Sequence, residues 1–201
     1  MAGMAVIELY VKKAWYDVKK PIINDFSLSV LPGETVTVTG PSGAGKTTLL
    51  SIIAGLHRRY EGTAEISGRI ALIPQKNCLP PFLTVYDNIT LVAGAGGRKP
   101  DRHKVFALLE ELGLGGLEKR YPVSLSGGQC RRVALGQALY SEPDILLMDE
   151  PFSALDAAVK FDMISLLLDM QQTRRAATVF VTHDMTEAEA LGGRTARLND
   201  G

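Results

Sequence analysis

Cysteine is almost absent from this chain of 201 residues, with Cys78 and Cys130 the only two. A pair of cysteines builds no disulfide framework and is too small for a zinc site of its own. No uncharged apolar stretch approaches the roughly 18 residues that a membrane-spanning helix needs. The start, MAGMAVIELYVKK, places its charges too early for a secretory signal. Charge of one sign is missing too: 22 basic residues meet 22 acidic ones, for a formal net charge of zero at pH 7. A dedicated nucleic-acid binder carries a basic excess, so the balance argues against that class. Internal repeats and low-complexity tracts are also lacking. A reducing cytoplasm is the expected compartment, and a membrane, if one matters, must be reached through a partner.

What remains is an ordinary globular composition, with 46% hydrophobic residues, 22% charged residues and 20 glycines. The length suits one domain, or one domain with a subdomain, and can bury a sizeable core. The basic doublets Lys12-Lys13, Lys19-Lys20, Arg58-Arg59, Arg131-Arg132 and Arg174-Arg175 are scattered along the chain and read as solvated surface. Residues 5–11 and 26–38 have strand character, with a turn at Leu31-Pro32-Gly33-Glu34. Residues 46–57 carry Leu49, Leu50, Ile52, Ile53 and Leu56 at helical spacing, and residues 63–74 return to strand character around Gly68. From Gln75 to about Tyr140 the texture changes: Pro80-Pro81 and the glycine-rich GAGGRKP bracket helices such as 101–112, and nothing there resembles a buried strand. The apolar runs 144–149 and 178–182, with a helical 156–172 between them, read as buried parallel strands. This alternation predicts an α/β fold with a mostly parallel sheet interrupted by a helical insertion.

Gly40-Pro41-Ser42-Gly43-Ala44-Gly45-Lys46-Thr47 fits G-x-x-x-x-G-K-[ST], directly after a strand and directly opening a helix. The glycines let the loop wrap closely with its N–H groups turned inward, and the helix adds its positive end, making a polyphosphate cradle. Lys46 supplies a mobile charge for the β and γ phosphates, and the Thr47 hydroxyl is a ligand for Mg²⁺. Asp149 and Glu150 end the apolar strand Ile145-Leu146-Leu147-Met148. Successive strand residues face opposite sides, which turns Asp149 toward the metal and leaves Glu150, at the strand tip, to polarise an attacking water. Ser126-Gly127-Gly128-Gln129, before a helical segment reaching Tyr140, is a second anion-seeking helix start. Two phosphate-type sites in one chain make sense if one completes the other. An adenine platform needs an aromatic before the P-loop; Trp15 and Tyr16 both offer one, spacing to the following strand favours Tyr16 slightly, and core or hairpin packing of either is the alternative.

These motifs resemble the ATP-binding cassette (ABC) family over nearly the whole chain. GPSGAGKT is similar to the family's Walker A loop, ILLMDE to its Walker B strand and LSGGQ to its signature. Gln75 resembles the Q-loop glutamine, Ser153-Ala154-Leu155-Asp156 the D-loop and His183 in VTHD the switch histidine, all in the family's order. The resemblance implies a P-loop NTPase core with an N-terminal antiparallel β subdomain and a helical subdomain inserted at about 76–140, within a single domain spanning 1–201. It implies ATP and Mg²⁺ as cofactors: the loop from Gly40 to Thr48 holds the nucleotide, Thr47, Gln75 and Asp149 attend the metal, and Lys46, Gln75, Glu150 and His183 serve hydrolysis. It also implies two such domains stacked head to tail, with Ser126, Gly127, Gly128, Gln129 and Asp156 completing the partner's site.

The chain departs from the family pattern in places. GTAEISGRIALIPQ lacks one stretch of the antiparallel arm, Cys130 and Gln137 stand where basic or polar residues are common, and no C-terminal regulatory domain is expected. DEPFSALD and THDMTEAEAL resemble the ATPase subunits of bacterial uptake systems for sulfonates, taurine, nitrate and related compounds. An importer ATPase at the cytoplasmic face of the membrane follows, held there by permease subunits and served by a substrate-binding protein. The segment 76–85 would receive the permease. An exporter or lipoprotein-release ATPase is the alternative, and a non-transport ABC ATPase a more distant one, since no heptads mark a coiled coil.

Overall fold

Alternation of buried Ile7, Leu9 and Val11 with exposed Glu8, Tyr10 and Lys12 sets the first strand, β1 (Ile7–Asp17), half in the core and half in solvent. β1 is the middle strand of an antiparallel sheet, flanked by β2 (Lys20–Val30) and β4 (Tyr60–Ile66), with Ile7 opposite both Val30 and Ile66. The computed structural model describes residues 4–17, 20–76, 79–95, 99–153 and 155–198. β1 is longer than the predicted 5–11 because the Lys12-Lys13 doublet interrupts the apolar pattern without interrupting the pairing. Register shifts between Val11 and Lys13 and on either side of Trp15 absorb the irregularity as bulges.

A second sheet is wholly parallel, in the order β5 (Ile70–Ile73), β6 (Ile145–Asp149), β7 (Ala177–Thr182), β3 (Thr35–Thr39), β8 (Arg194–Arg197). Every residue of β6 and β7 is buried, as continuous apolar runs covered on both faces require. The predicted strand 63–74 is two strands in different sheets: Gly68, at φ +113°, turns the chain from one to the other. β8 escapes the sequence reading because Arg-Thr-Ala-Arg has no apolar alternation, and its pairing is dictated by β3 alongside it.

Two apolar cores lie against the parallel sheet. One gathers β1, β2 and α1 (Lys46–Ile53), with Leu49, Leu50 and Ile53 against Ile145, Leu147 and Val179. The other gathers α2 (Val85–Ala95), α3 (Arg102–Glu111), α4 (Gly127–Tyr140) and α5 (Ala157–Arg174) around Ile89, Leu109, Leu112, Leu135, Phe152 and Phe180. Neighbouring residues of β6 alternate between them: Ile145 and Leu147 face the first, Leu146 and Met148 the second. The predicted helix 46–57 stops at Ile53, since Ala54 caps it and Gly55 follows at φ +72°. The 76–140 region is helical as expected, with a 3-10 turn at Pro122–Ser124 and no strand among the described residues. A short helix, α6 (Met185–Leu191), follows β7. No helix among the described residues is long and apolar enough to cross a membrane.

Candidate functional site

A parallel sheet delivers the carboxyl ends of its strands to one edge, and ligands of open α/β sheets bind there. Here β3 leads into Gly40, β5 into Gln75, β6 into Glu150 and β7 into His183. They converge on an open cleft of about 460 Å³ lined by Tyr16, Ile22, Ser42, Gly43, Gly45, Lys46, Thr47, Thr48, Gln75, Glu150 and His183.

The loop from Gly40 to Lys46 curls around the Lys46 ammonium, whose Nζ donates to the Gly40 and Pro41 carbonyls, each at 2.8 Å. Gly45 has φ +95°, and a Cβ there would lie 2.6 Å from Ile22 Cγ2 and 2.7 Å from Ile23 Cγ1. Backbone strain and collision both act, so Gly45→Ala is expected to cost about 1–3 kcal/mol from the left-handed conformation alone and to weaken nucleotide binding. Urea unfolding and nucleotide titration check the two effects separately. Gly40 is constrained from another side, since a Cβ there would meet the Leu198 carbonyl at 2.4 Å.

Thr47 Oγ1 donates to Asp149 Oδ2 at 2.8 Å, joining the start of α1 to the end of β6. Burial pushes the Asp149 carboxyl above the usual carboxylate range; the Thr47 hydroxyl opposes that shift and the nearby Glu150 charge adds to it. A desolvated carboxylate paired with a hydroxyl at a helix N-terminus is a donor set that a hard divalent cation satisfies. No group of three or more His, Cys, Asp or Glu suited to a metal occurs among the described residues. A cation at Thr47 and Asp149 therefore needs ligands from phosphate and water, the manner in which Mg²⁺ is held.

Glu150 corrects the sequence reading. The strand ends at Asp149, and Glu150 adopts φ +43° while its N–H donates to the Val181 carbonyl at 2.9 Å. A left-handed residue does not continue the strand's alternation, so Glu150 swings into the cleft rather than across the sheet from Asp149. Its Oε2 accepts from Gln75 Nε2 at 2.8 Å, and its Oε1 lies 3.0 Å from His183 Nδ1. The three groups that sequence order alone had linked thus form one hydrogen-bonded set.

Of the two aromatic candidates, Tyr16 lines the cleft and Trp15 does not. The bulge at Trp15 turns the Tyr16 ring outward, edge-on to His57 with centroids 4.8 Å apart. Ser126, Gly127, Gly128, Gln129 and Asp156 do not line this cleft. Ser126 caps α4 in a reciprocal box, its Oγ accepting from Gln129 N–H while Gln129 Oε1 accepts from Ser126 N–H. Asp156 caps α5 by accepting from Val159 N–H at 3.0 Å. Ser126, Gly127 and Asp156 are exposed. Ala154 of the D-loop motif, Cys78 with Asn77 of the 76–85 segment, Lys19, and Met1–Gly3 of the start lie outside the described residues.

Two groups of functional interest escaped the sequence reading. The Arg131-Arg132 doublet is not solvated surface: Arg131 is 5% exposed, and Arg132 Nη1 donates to the Leu112 carbonyl at 3.1 Å. The buried Glu187 accepts from Thr182 Oγ1 at 2.6 Å and pairs with Lys160 at 2.7 Å, bracing the turn that carries His183. A charged residue in a helical or turn sequence carries no mark of burial, so neither group had a sequence signal.

The ABC transporter family model matches residues 23–153. The aliphatic sulfonates import ATP-binding protein SsuB 2 of Burkholderia cenocepacia is 41% identical over 98% of this chain and 76% of its own length. SsuB of Bacillus subtilis is 43% identical over 90% of this chain and 73% of its own length. Among solved structures, a metal-chelate type ABC transporter in an inward-facing conformation superposes with TM-score 0.85 and 30% identity, covering 98% of this chain and 80% of that one. A bacterial ABC transporter cassette in its dimeric form superposes with TM-score 0.84 and 29% identity, covering 97% of this chain and 95% of that one. With the family model matching residues 23–153 and relatives this similar over nearly the whole chain, beside a cleft that gathers the phosphate loop, Gln75, Glu150 and His183, this chain belongs to the ABC transporter family.

Proposed function

We propose that the chain is the ATP-hydrolysing subunit of a membrane importer, working as a head-to-tail pair on permease subunits at the cytoplasmic face of the membrane. The observation that carries the reading is the meeting of four parallel strand ends, which groups Lys46, Thr47, Gln75, Glu150 and His183 around one cleft. The importer assignment and its solute class, small organic sulfonates, rest on the relatives above; a substrate-binding protein in the same system completes the proposal. The whole chain is read as one cassette domain with its helical subdomain inserted at about 76–140.

The loop from Gly40 to Thr48 binds the triphosphate through N–H groups and the positive end of α1. Lys46, which rests on two loop carbonyls in this structure, turns to the β and γ phosphates. Thr47 and Asp149, with Gln75 in the same cleft lining, would hold Mg²⁺, which would supply charge neutralisation on phosphate oxygens. Glu150 accepts the proton of the attacking water as its oxygen bonds the γ phosphorus and the bond to ADP breaks. Each Glu150 oxygen has one partner here, and an ionised carboxylate keeps a further lone pair on each for the water. His183 then orients toward the γ-phosphate while its other ring nitrogen keeps the carboxylate in place. Ser126, Gly127, Gly128 and Gln129 of each chain, with Asp156 beside them, close the partner's cleft. That explains why an exposed helix start so well made for anions stands apart from its own nucleotide cleft.

Tyr16 is the adenine platform. Loss of its ring in Tyr16→Ala removes stacking of about 0.5–1.5 kcal/mol, which should raise the ATP dissociation constant severalfold with little change in maximal turnover. Trp15→Ala should do less, and fluorescent-nucleotide titration distinguishes the two. The function as a whole is tested by affinity purification from membranes with ATPase measurement. Recovery of a hydrophobic permease and ATP turnover supports the reading. Recovery of a lipoprotein-release complex, or of ribosomes or DNA without a membrane subunit, overturns the importer assignment.

A further inference from the structure

A helix that begins at an exposed anion-seeking turn carries, one turn further on, a buried guanidinium. Arg131 of α4 is 5% exposed. Its Nε donates to the Pro151 carbonyl at 2.6 Å, Nη1 to the Pro74 carbonyl at 3.0 Å and Nη2 to the Gln75 carbonyl at 2.5 Å. Burying a guanidinium costs desolvation, which apolar packing at the same place avoids. The cost is met by carbonyls, and their location is informative. Pro74 and Gln75 are the residues by which β5 hands over to the Gln75 side chain, and Pro151 is the residue after Glu150. Gln75 and Glu150 are the same two residues whose side chains meet at 2.8 Å in the cleft.

We propose that Arg131 is a positioning residue for hydrolysis: its planar fork fixes the backbones that carry Gln75 and Glu150 and ties both to the helix whose first turn is Ser126–Gln129. The planarity matters, because a guanidinium presents several N–H donors in fixed directions and holds separate carbonyls at once, whereas an ammonium acts as a point. Arg131 does not line the cleft. It acts through the register of two loops that lie 56 and 20 residues away in sequence from it. Since α4 starts at the signature, displacement of that turn by a partner's ATP is passed along one helical turn to Arg131, and from there to Gln75 and Glu150.

The proposal rests on the hydrolysis reading above, and the experiment separates their failures. ATP affinity and single-turnover hydrolysis at saturating ATP are measured for wild type, Arg131→Lys, Arg131→Met, Gln75→Ala and the double variant Arg131→Met with Gln75→Ala. Expected are a loss of tenfold or more in the hydrolysis rate for Arg131→Met, an ATP dissociation constant within twofold of wild type, and partial recovery in Arg131→Lys. The double variant should lose much less than the product of the two single losses, because both act on one arrangement. A rate within twofold of wild type, an affinity that falls in parallel with the rate, or multiplicative losses in the double variant overturns the proposal. So does insolubility of both Arg131 variants, which would make the residue one of the fold alone. A wild-type chain without turnover overturns both readings; an active wild type with unaffected Arg131 variants overturns this one alone.

Discussion

Glu150→Gln should bind ATP as tightly as wild type, hydrolyse it about 10²–10⁴ times more slowly, and persist as an ATP-bound dimer. The substitution keeps the shape of the side chain and an oxygen able to accept from Gln75 Nε2, which reaches Glu150 at 2.8 Å. It removes the basicity that draws a proton from water, and each factor of ten in rate corresponds to about 1.4 kcal/mol of barrier. It also removes a negative charge that helps hold the Asp149 carboxyl above its ordinary range, so affinity for a divalent cation and its nucleotide is not expected to suffer through charge repulsion at that carboxyl. Phosphate release measures the rate, and size-exclusion chromatography with ATP measures the dimer. Turnover within threefold of wild type would take the role of general base away from Glu150. A dimer that dissolves without hydrolysis would remove the coupling of closure to ATP, since a ligand shifts a conformational equilibrium only by its differential affinity for the two states.

Lys46→Ala should abolish most of the ATP affinity while leaving the fold in place. A hydrogen bond to a charged group contributes about 1.5–3 kcal/mol, so losing the ammonium should raise the dissociation constant roughly ten- to a hundredfold. The Gly40 and Pro41 carbonyls that it caps at 2.8 Å border an open cleft, where water replaces the donor, and unfolding stability should change little. Lys46→Arg is expected to fare no better than alanine for catalysis. Lys46 is 5% exposed, its ammonium held inside the curl of the loop, and a planar fork does not sit as a point charge between those carbonyls. Isothermal titration with ATP, set beside urea unfolding, checks both statements. Unchanged affinity in Lys46→Ala would undo the phosphate-loop assignment.

Much of the site is legible in the linear chain because its chemistry is local. The P-loop is one contiguous stretch whose glycines act through their backbone and whose Lys46 and Thr47 side chains spring from the same turn, and the structure places it between β3 and α1 as expected. The signature turn is local as well, and its Ser126–Gln129 capping box follows from residue types three apart. Strand alternation failed for Glu150 because the rule holds only while the strand lasts, and here it ends one residue earlier in a left-handed turn. Spacing separates Tyr16 from Trp15 only slightly, because a bulge, not the period of two, decides which ring meets the cleft. Arg131 escapes the sequence for a different reason: charged residues are exposed as a rule, and backbone carbonyls from two distant loops make its burial tolerable.

By itself the sequence determined the glycine-rich loop between a strand and a helix, the acidic end of a buried strand, the helical insertion and the family, since each is read from short contiguous motifs. Only the tertiary structure decided that Gln75 and His183 meet on the two oxygens of Glu150, from positions 75 and 33 residues away. The physical reason is the sheet. Parallel pairing of β5, β6, β7 and β3 fixes which carboxyl ends are neighbours and at what register, and that alignment follows from the packing of two apolar cores against the sheet rather than from any one segment.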